Sequence, residues 1–160
     1  MYTIKFVVEP EQKESTMLSQ KCKYAIRAVL YLSAESSTHK GLKGGKEVSN
    51  ALLIPLPFTS KILQELSREN IISSVKGPGG GFYLSPENLR LTLIKIVEAM
   101  GDASYFSSCG LGLVECSEEH PCPIHDTFKV SRNNLLDLFN NKTIGELGVE
   151  VKHSGLFLVR

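Results

Sequence analysis

Pro57-Phe58-Thr59-Ser60-Lys61-Ile62-Leu63-Gln64-Glu65-Leu66-Ser67-Arg68-Glu69-Asn70 leads straight into Ile71-Ile72-Ser73-Ser74-Val75-Lys76-Gly77-Pro78-Gly79-Gly80-Gly81-Phe82-Tyr83-Leu84. In the first run Phe58, Ile62, Leu63 and Leu66 recur at helical spacing, while Ser60, Gln64 and Arg68 recur every four residues on another face. The pattern predicts a helix from about Pro57 to Asn70, with proline in the first turn where its missing N–H is no loss. In the second run two short β-prone segments flank the glycine-rich tip Gly77 to Gly81, which predicts a hairpin. Upstream, Ala25, Ala28, Val29 and Leu32 stripe a helix over about Leu18 to Ala34, opened by Ser19 as N-cap and closed by the polar run Glu35 to Lys40. A Gly- and Lys-rich loop, Gly41 to Gly45, leads to a short helical segment near Lys46 to Leu52. A helix, a helix-turn-helix and a hairpin in this order are the parts of a winged helix. The expected class is mainly α with a small β-hairpin wing.

The second helix of a helix-turn-helix enters the major groove of DNA by its N-terminal residues. The residues expected on the DNA side are Pro57, Thr59, Ser60, Lys61, Gln64 and Arg68, joined by Lys76, Gly77, Gly79 and Gly80 of the hairpin, whose backbone can approach a phosphate closely. A plain solvated polar face would have the same pattern. Charge distribution favours the DNA reading. Residues 17–100 carry eleven Lys or Arg against six Asp or Glu, and residues 101–160 carry five against eight, so an anionic partner suits the front of the chain. The glycine-rich tip is not a nucleotide-binding loop, because the strand-loop-helix setting with Gly-Lys-Ser/Thr is missing.

A second feature lies downstream. Cys109, Cys116 and Cys122 are separated by six and five residues in a glycine-rich loop, with His120 and His125 close by. No cationic stretch followed by an apolar run opens the chain, so a reducing cytoplasm is expected, where clustered thiols bind metal or sense redox state more often than they form disulfides. Iron-sulfur clusters take thiolates and sometimes imidazole, and structural zinc takes the same donors in Cys3His sites. The wide spacing favours a cluster, with zinc or bare redox thiols as the alternatives. His125 is preferred to His120 as fourth donor because it begins the following helix, which can fix its ring.

At 160 residues, with 42% hydrophobic and 22% charged residues, the chain suits one ordinary globular domain with an appended element. No run approaches the ~20 apolar residues of a membrane span. Leu93, Ile96, Val97 and Met100 mark a helix stopped by Gly101, and Ile124, Phe128, Leu135 and Phe139 stripe a long helix ending near Asn140-Asn141, suited to a dimer contact or to packing on its own core. The expected division is an N-terminal extension over 1–16 and a winged helix-turn-helix over 17–86. Residues 87–147 would hold a linker helix, the cysteine loop (109–122) and a dimerisation helix (about 123–140), with a C-terminal tail over 148–160. No nucleotide fingerprint, Cys-x2-Cys pair or carboxylate dyad points to an enzyme or a small-molecule substrate.

With these residues in view, the chain resembles the IscR/NsrR-type family of bacterial winged-helix regulators over about Met17 to Leu147. The marks are Leu18-Ser19-Gln20-Lys21-Cys22-Lys23-Tyr24-Ala25, the wing Ser73 to Phe82, the segment Leu93 to Gly101, and three cysteines before a long helix. The resemblance implies a homodimer built by the long helix, a palindromic double-stranded operator, and an iron-sulfur cluster on Cys109, Cys116 and Cys122. His125 matches the fourth ligand of 2Fe-2S members, while Lys23 occupies the place where some 4Fe-4S members have an aspartate ligand, so 2Fe-2S is expected over 4Fe-4S. Ser60 and Lys61 fall at specificity positions, and Lys76 stands where the wing often has Arg. The first cysteine gap is six residues where the best-known members have five. Cys22 matches no ligand position and is expected to be a small buried residue.

Overall fold

The computed structural model describes residues 17–36, 41–154 and 158; the expected extension over 1–16 lies outside them. Seven helices and one hairpin follow in the order α1 (Gln20–Glu35), α2 (Gly45–Leu52), α3 (Leu56–Arg68), β1 (Ser73–Val75), β2 (Gly81–Tyr83), α4 (Pro86–Leu89), α5 (Leu93–Met100), α6 (His125–Asn141) and α7 (Ile144–Ser154). A 3-10 turn over Ala103–Phe106 follows α5. The architecture is the expected winged helix, mainly helical with a two-stranded antiparallel wing.

Helix α1 is the centre of the core. Ser19 caps it, its hydroxyl accepting the Cys22 N–H at 3.1 Å, and Cys22, Ala25, Ala28, Val29 and Leu32 line its buried stripe. Against this stripe pack α3, through Ile62, Leu63 and Leu66, and α5, through Ile96 and Val97. Burying a branched side chain of this kind contributes roughly 1.5–3 kcal/mol, so this contact among three helices is a substantial source of stability. The wing is fixed at its base by a buried amide. Asn88 accepts from the Ser73 hydroxyl (2.8 Å) and the Ser85 N–H (2.9 Å) and donates to the Asn70 carbonyl (3.0 Å), joining the end of α3, β1 and the start of α4. A bridge between Lys43 and Phe82 ties β2 to the loop before α2. At the tip, Gly80 N–H returns to the Gly77 carbonyl at 2.9 Å, with Pro78 and then Gly79 at φ 77°, the positive value that a type II turn requires of its third residue.

Two local expectations are corrected. Phe58 does not face the core: helix α3 begins at Leu56, and its inward stripe is Thr59, Ile62, Leu63 and Leu66. Thr59 satisfies burial by directing its hydroxyl to the Ile54 and Pro55 carbonyls, both at 3.3 Å, which leaves Phe58 61% exposed. The stretch expected to be a C-terminal tail, residues 148–160, carries the second half of α7. That helix lies along α1, its Gly148 set so close that an added Cβ would stand 2.0 Å from Ser33 Oγ, while the same hydroxyl donates to the Ile144 carbonyl at 3.0 Å. Its weak apolar stripe, interrupted by Gly145 and Gly148, hid it in the sequence.

This contact gives a stability test. Gly148→Ala should lower the unfolding free energy by about 1–3 kcal/mol, the usual cost of overpacking, and adding Ser33→Gly should recover part of it. A denaturation midpoint unchanged by Gly148→Ala would contradict the close α1–α7 contact.

Candidate metal centre and nucleic-acid interface

The cysteine loop leaves the core through the 3-10 turn, whose Phe106 is buried against Phe139 of α6 with ring centroids 5.4 Å apart. A turn at Cys109 (Gly112 N–H to Cys109 carbonyl, 3.0 Å) folds the first thiol back. Gly110 lies flat against Phe128, since a Cβ there would meet the ring at 2.8 Å. The far side of the loop is closed by the Ser117 N–H to the His120 carbonyl (3.2 Å) and by the His125 N–H to the Cys122 carbonyl (3.0 Å), which sets His125 at the first position of α6.

These turns bring the three thiols together, their sulfurs within 4.8 Å of one another. Cys109 Sγ and Cys122 Sγ are 3.6 Å apart, and His125 Nδ1 lies 3.2 Å from Cys116 Sγ. All three are free and half-buried. The backbone N–H groups of Leu111 and Leu113 point at Cys109 and hold its pKa down to about 7, so this thiol gives up its proton readily to become a ligand. Cys22, by contrast, is fully buried and its thiol is pushed up to about 12 by that burial and then by Asp102, which makes it an inert core residue. His120 sits on the exposed turn, whereas His125 lies against Cys116, beside the group of three thiols.

No sequence pattern marks the residues around this centre. Glu118 lies 3.5 Å from His125 Nε2 and also pairs with Lys129. Its carboxyl is held below the usual carboxylate range by Lys129 and then His125. Nδ1 faces Cys116, and Nε2, buried and without a hydrogen bond, lies toward the Glu118 carboxylate. Arg132, one turn beyond Lys129, donates to the Ser108 carbonyl at 2.8 Å and anchors the loop's first end. Three half-buried thiols with one imidazole against Cys116 are donors of the kind that an iron-sulfur cluster takes.

Separately, α3 and the wing flank a cleft of about 640 Å³, lined by Gln64 and Arg68 of α3, Lys76 and Gly80 of the wing, and Gly44 and Gly45 at the start of α2. Pro57, Lys61, Gln64, Arg68, Lys76, Gly77 and Gly79 are exposed, while Ser60 and Gly80 are half-buried. Thr59 is the exception among the expected DNA-facing residues, its side chain only 2% exposed and turned into the core. Lys61, Arg68 and Lys76 form no ion pair among the described residues, whereas Lys21 and Lys43 are neutralised by Glu65 and Glu35. The cleft therefore presents net positive charge between a helix and a hairpin, the combination that grips a duplex by its groove and backbone.

The chain is similar in sequence and in fold to known proteins. A protein of Aquifex aeolicus (strain VF5), placed by its name among HTH-type transcriptional regulators, is 34% identical over 140 residues, covering 86% of this chain and 95% of the relative. The HTH-type transcriptional regulator IscR of Klebsiella pneumoniae (strain 342) is 27% identical over 130 residues, covering 81% and 78%. Among solved structures, CymR, titled the global cysteine regulator of B. subtilis, superposes with a TM-score of 0.66 over 82% of this chain and 95% of its own at 16% identity, a likeness of fold. No described helix is long and apolar enough to cross a membrane. A family model described as Rrf2, iron-dependent transcriptional regulator, matches residues 18–150. From the first helix to the last, this chain is a DNA-binding transcriptional regulator of the Rrf2 family.

Proposed function

We propose that the protein is a cytoplasmic, homodimeric repressor-type regulator whose hold on a palindromic operator responds to redox, nitric oxide or iron-sulfur status through a cluster on Cys109, Cys116, Cys122 and His125. The observation that carries this reading is the convergence of three free thiols and one imidazole beside the base of α6, in a chain whose family reads DNA. The donors favour 2Fe-2S over 4Fe-4S, because a histidine stands with the thiols and Lys23 offers no carboxylate. A cluster held here supplies an oxidant-labile group whose occupancy depends on iron and sulfur supply.

The chain's own residues do the rest. The Leu111 and Leu113 N–H groups favour the Cys109 thiolate, Glu118 stands beside the outer ring nitrogen of His125, and Arg132 and Phe128 hold the loop's first end, at Ser108 and Gly110, against α6. Helix α6 leaves Val130 and Leu138 exposed at 61% and 51%, apolar surface that a second copy would cover. Loop and α6 are mechanically one piece, so a change of ligation shifts the helix that sets the distance between two DNA-binding halves.

A second reading has its own support. The 3.6 Å approach of Cys109 and Cys122 beside the Cys116–His125 pair suits a single tetrahedral ion, as in structural Cys3His zinc. In that case the chain would be a zinc-containing winged-helix protein with no iron chemistry.

Anaerobically purified protein should contain iron and acid-labile sulfide and absorb visible light through sulfur-to-iron charge transfer, and Cys116→Ala should lose all three signals. Colourless protein with stoichiometric zinc would select the second reading. For the DNA face, Lys76→Ala should weaken binding to all duplexes about equally and reduce the slope of log affinity against log salt by about one. Ser60→Ala should instead change which sequences are preferred. Affinity independent of salt would contradict the phosphate role of Lys61, Arg68 and Lys76.

A further inference from the structure

The leading end of α3 has no polar side chain to read a base with. Its outward residues are Leu56, Pro57 and Phe58, exposed at 42% for Leu56 and 61% for Phe58, and they follow Leu53 at 71%. None of these side chains donates or accepts a hydrogen bond. Pro55 and Pro57 lack N–H groups, and the Phe58 N–H is already given to the Pro55 carbonyl at 3.0 Å. Thr59, the first polar residue, is turned inward. Polar readers begin only with Ser60 and Lys61.

A groove-entering helix touches bases first with its N-terminal residues, so the base pair met by this tip must be read without hydrogen bonds. Along the major-groove edge the one apolar group is the 5-methyl of thymine. An exposed phenylalanine also keeps a large apolar surface in water, which contact with a methyl group would relieve. Lys61 lies three residues on, on the same face of the helix, where its charge can hold the tip against the strand. Resting on the assignment of α3 as the groove-reading helix, we infer that Phe58, supported by Leu56, is a specificity-determining residue that recognises thymine through its 5-methyl group at a fixed place in each half-site. The same methyl on 5-methylcytosine would be accepted in its stead.

The test uses the full-length protein. A preferred site is selected from a random duplex library, and each thymine in it is then replaced by deoxyuridine, which removes only the methyl. At one or two positions per half-site the wild-type protein should lose about fourfold in affinity per methyl. Phe58→Ala should bind thymine and uracil duplexes alike at those positions, and Phe58→Leu should keep part of the discrimination. Both variants should retain the wild-type salt dependence, which separates loss of reading from loss of folding or of phosphate contacts. Wild-type protein that binds the site with steep salt dependence but tolerates deoxyuridine at every position would overturn the inference while leaving the DNA assignment intact. Wild-type protein that shows no salt-dependent affinity for any duplex would overturn both.

Discussion

The structure depends on the burial of one face of α1. Small residues at Cys22, Ala25 and Ala28 and branched ones at Val29 and Leu32 let other helices come close without voids, and each neighbour is positioned by this one surface. A sixteen-residue helix spans about 24 Å, and its two ends serve different parts of the molecule. At the N-terminal end the Asp102 carboxylate accepts the Ser19 N–H at 2.6 Å, just before the chain enters the cysteine loop. At the C-terminal end Glu35 pairs with Lys43 at 3.0 Å, and Lys43 is bridged to the wing residue Phe82. The thiol centre and the wing therefore lean on opposite ends of the same rigid element, and α7 braces its length through the Gly148–Ser33 contact.

Environment, not residue type, separates the four cysteines. Cys22 sits in the α1 stripe beside a carboxylate, where ionisation is opposed by burial and by like charge, so it behaves as a small hydrophobe. Cys109 has backbone N–H groups aimed at its sulfur by the Gly110 to Gly112 turn, and its thiolate is accessible near neutral pH. The difference explains how a chain can present a reactive thiol group on its surface while a fourth cysteine in the core takes no part. The same logic applies to the charges. Lysines facing α3 and α1 are spent on Glu65 and Glu35, while Lys61 and Arg68 of α3 and Lys76 of the wing are among the cations left for a polyanion.

Much of this was legible from periodicity. The stripes of α1, α3 and α5 and the glycine-rich turn are strong local signals, and each corresponds to a buried face or a turn geometry in the structure. Phe58 was misread because a phenylalanine at helical spacing from Ile62 looks like core, and only the start of α3 at Leu56 shows that Thr59 occupies the inward position. Helix α7 was missed because its two glycines, which weaken any helical pattern, are what permit its approach to α1. In the metal centre the thiols and His125 were legible from their crowding, but Glu118, Lys129 and Arg132 were not. Their roles depend on how the loop folds back on α6, and isolated charges in an acidic segment have no pattern that announces it.

In the proposed function, the state of the thiol centre governs the grip on DNA. The most direct measurement compares operator affinity of one anaerobic preparation before and after its iron and sulfide are removed by chelation, with Cys116→Ala carried in parallel. Affinity or sequence preference of the wild-type protein should change on removal, and Cys116→Ala should match the stripped protein throughout. Identical binding by loaded, stripped and variant protein would contradict it.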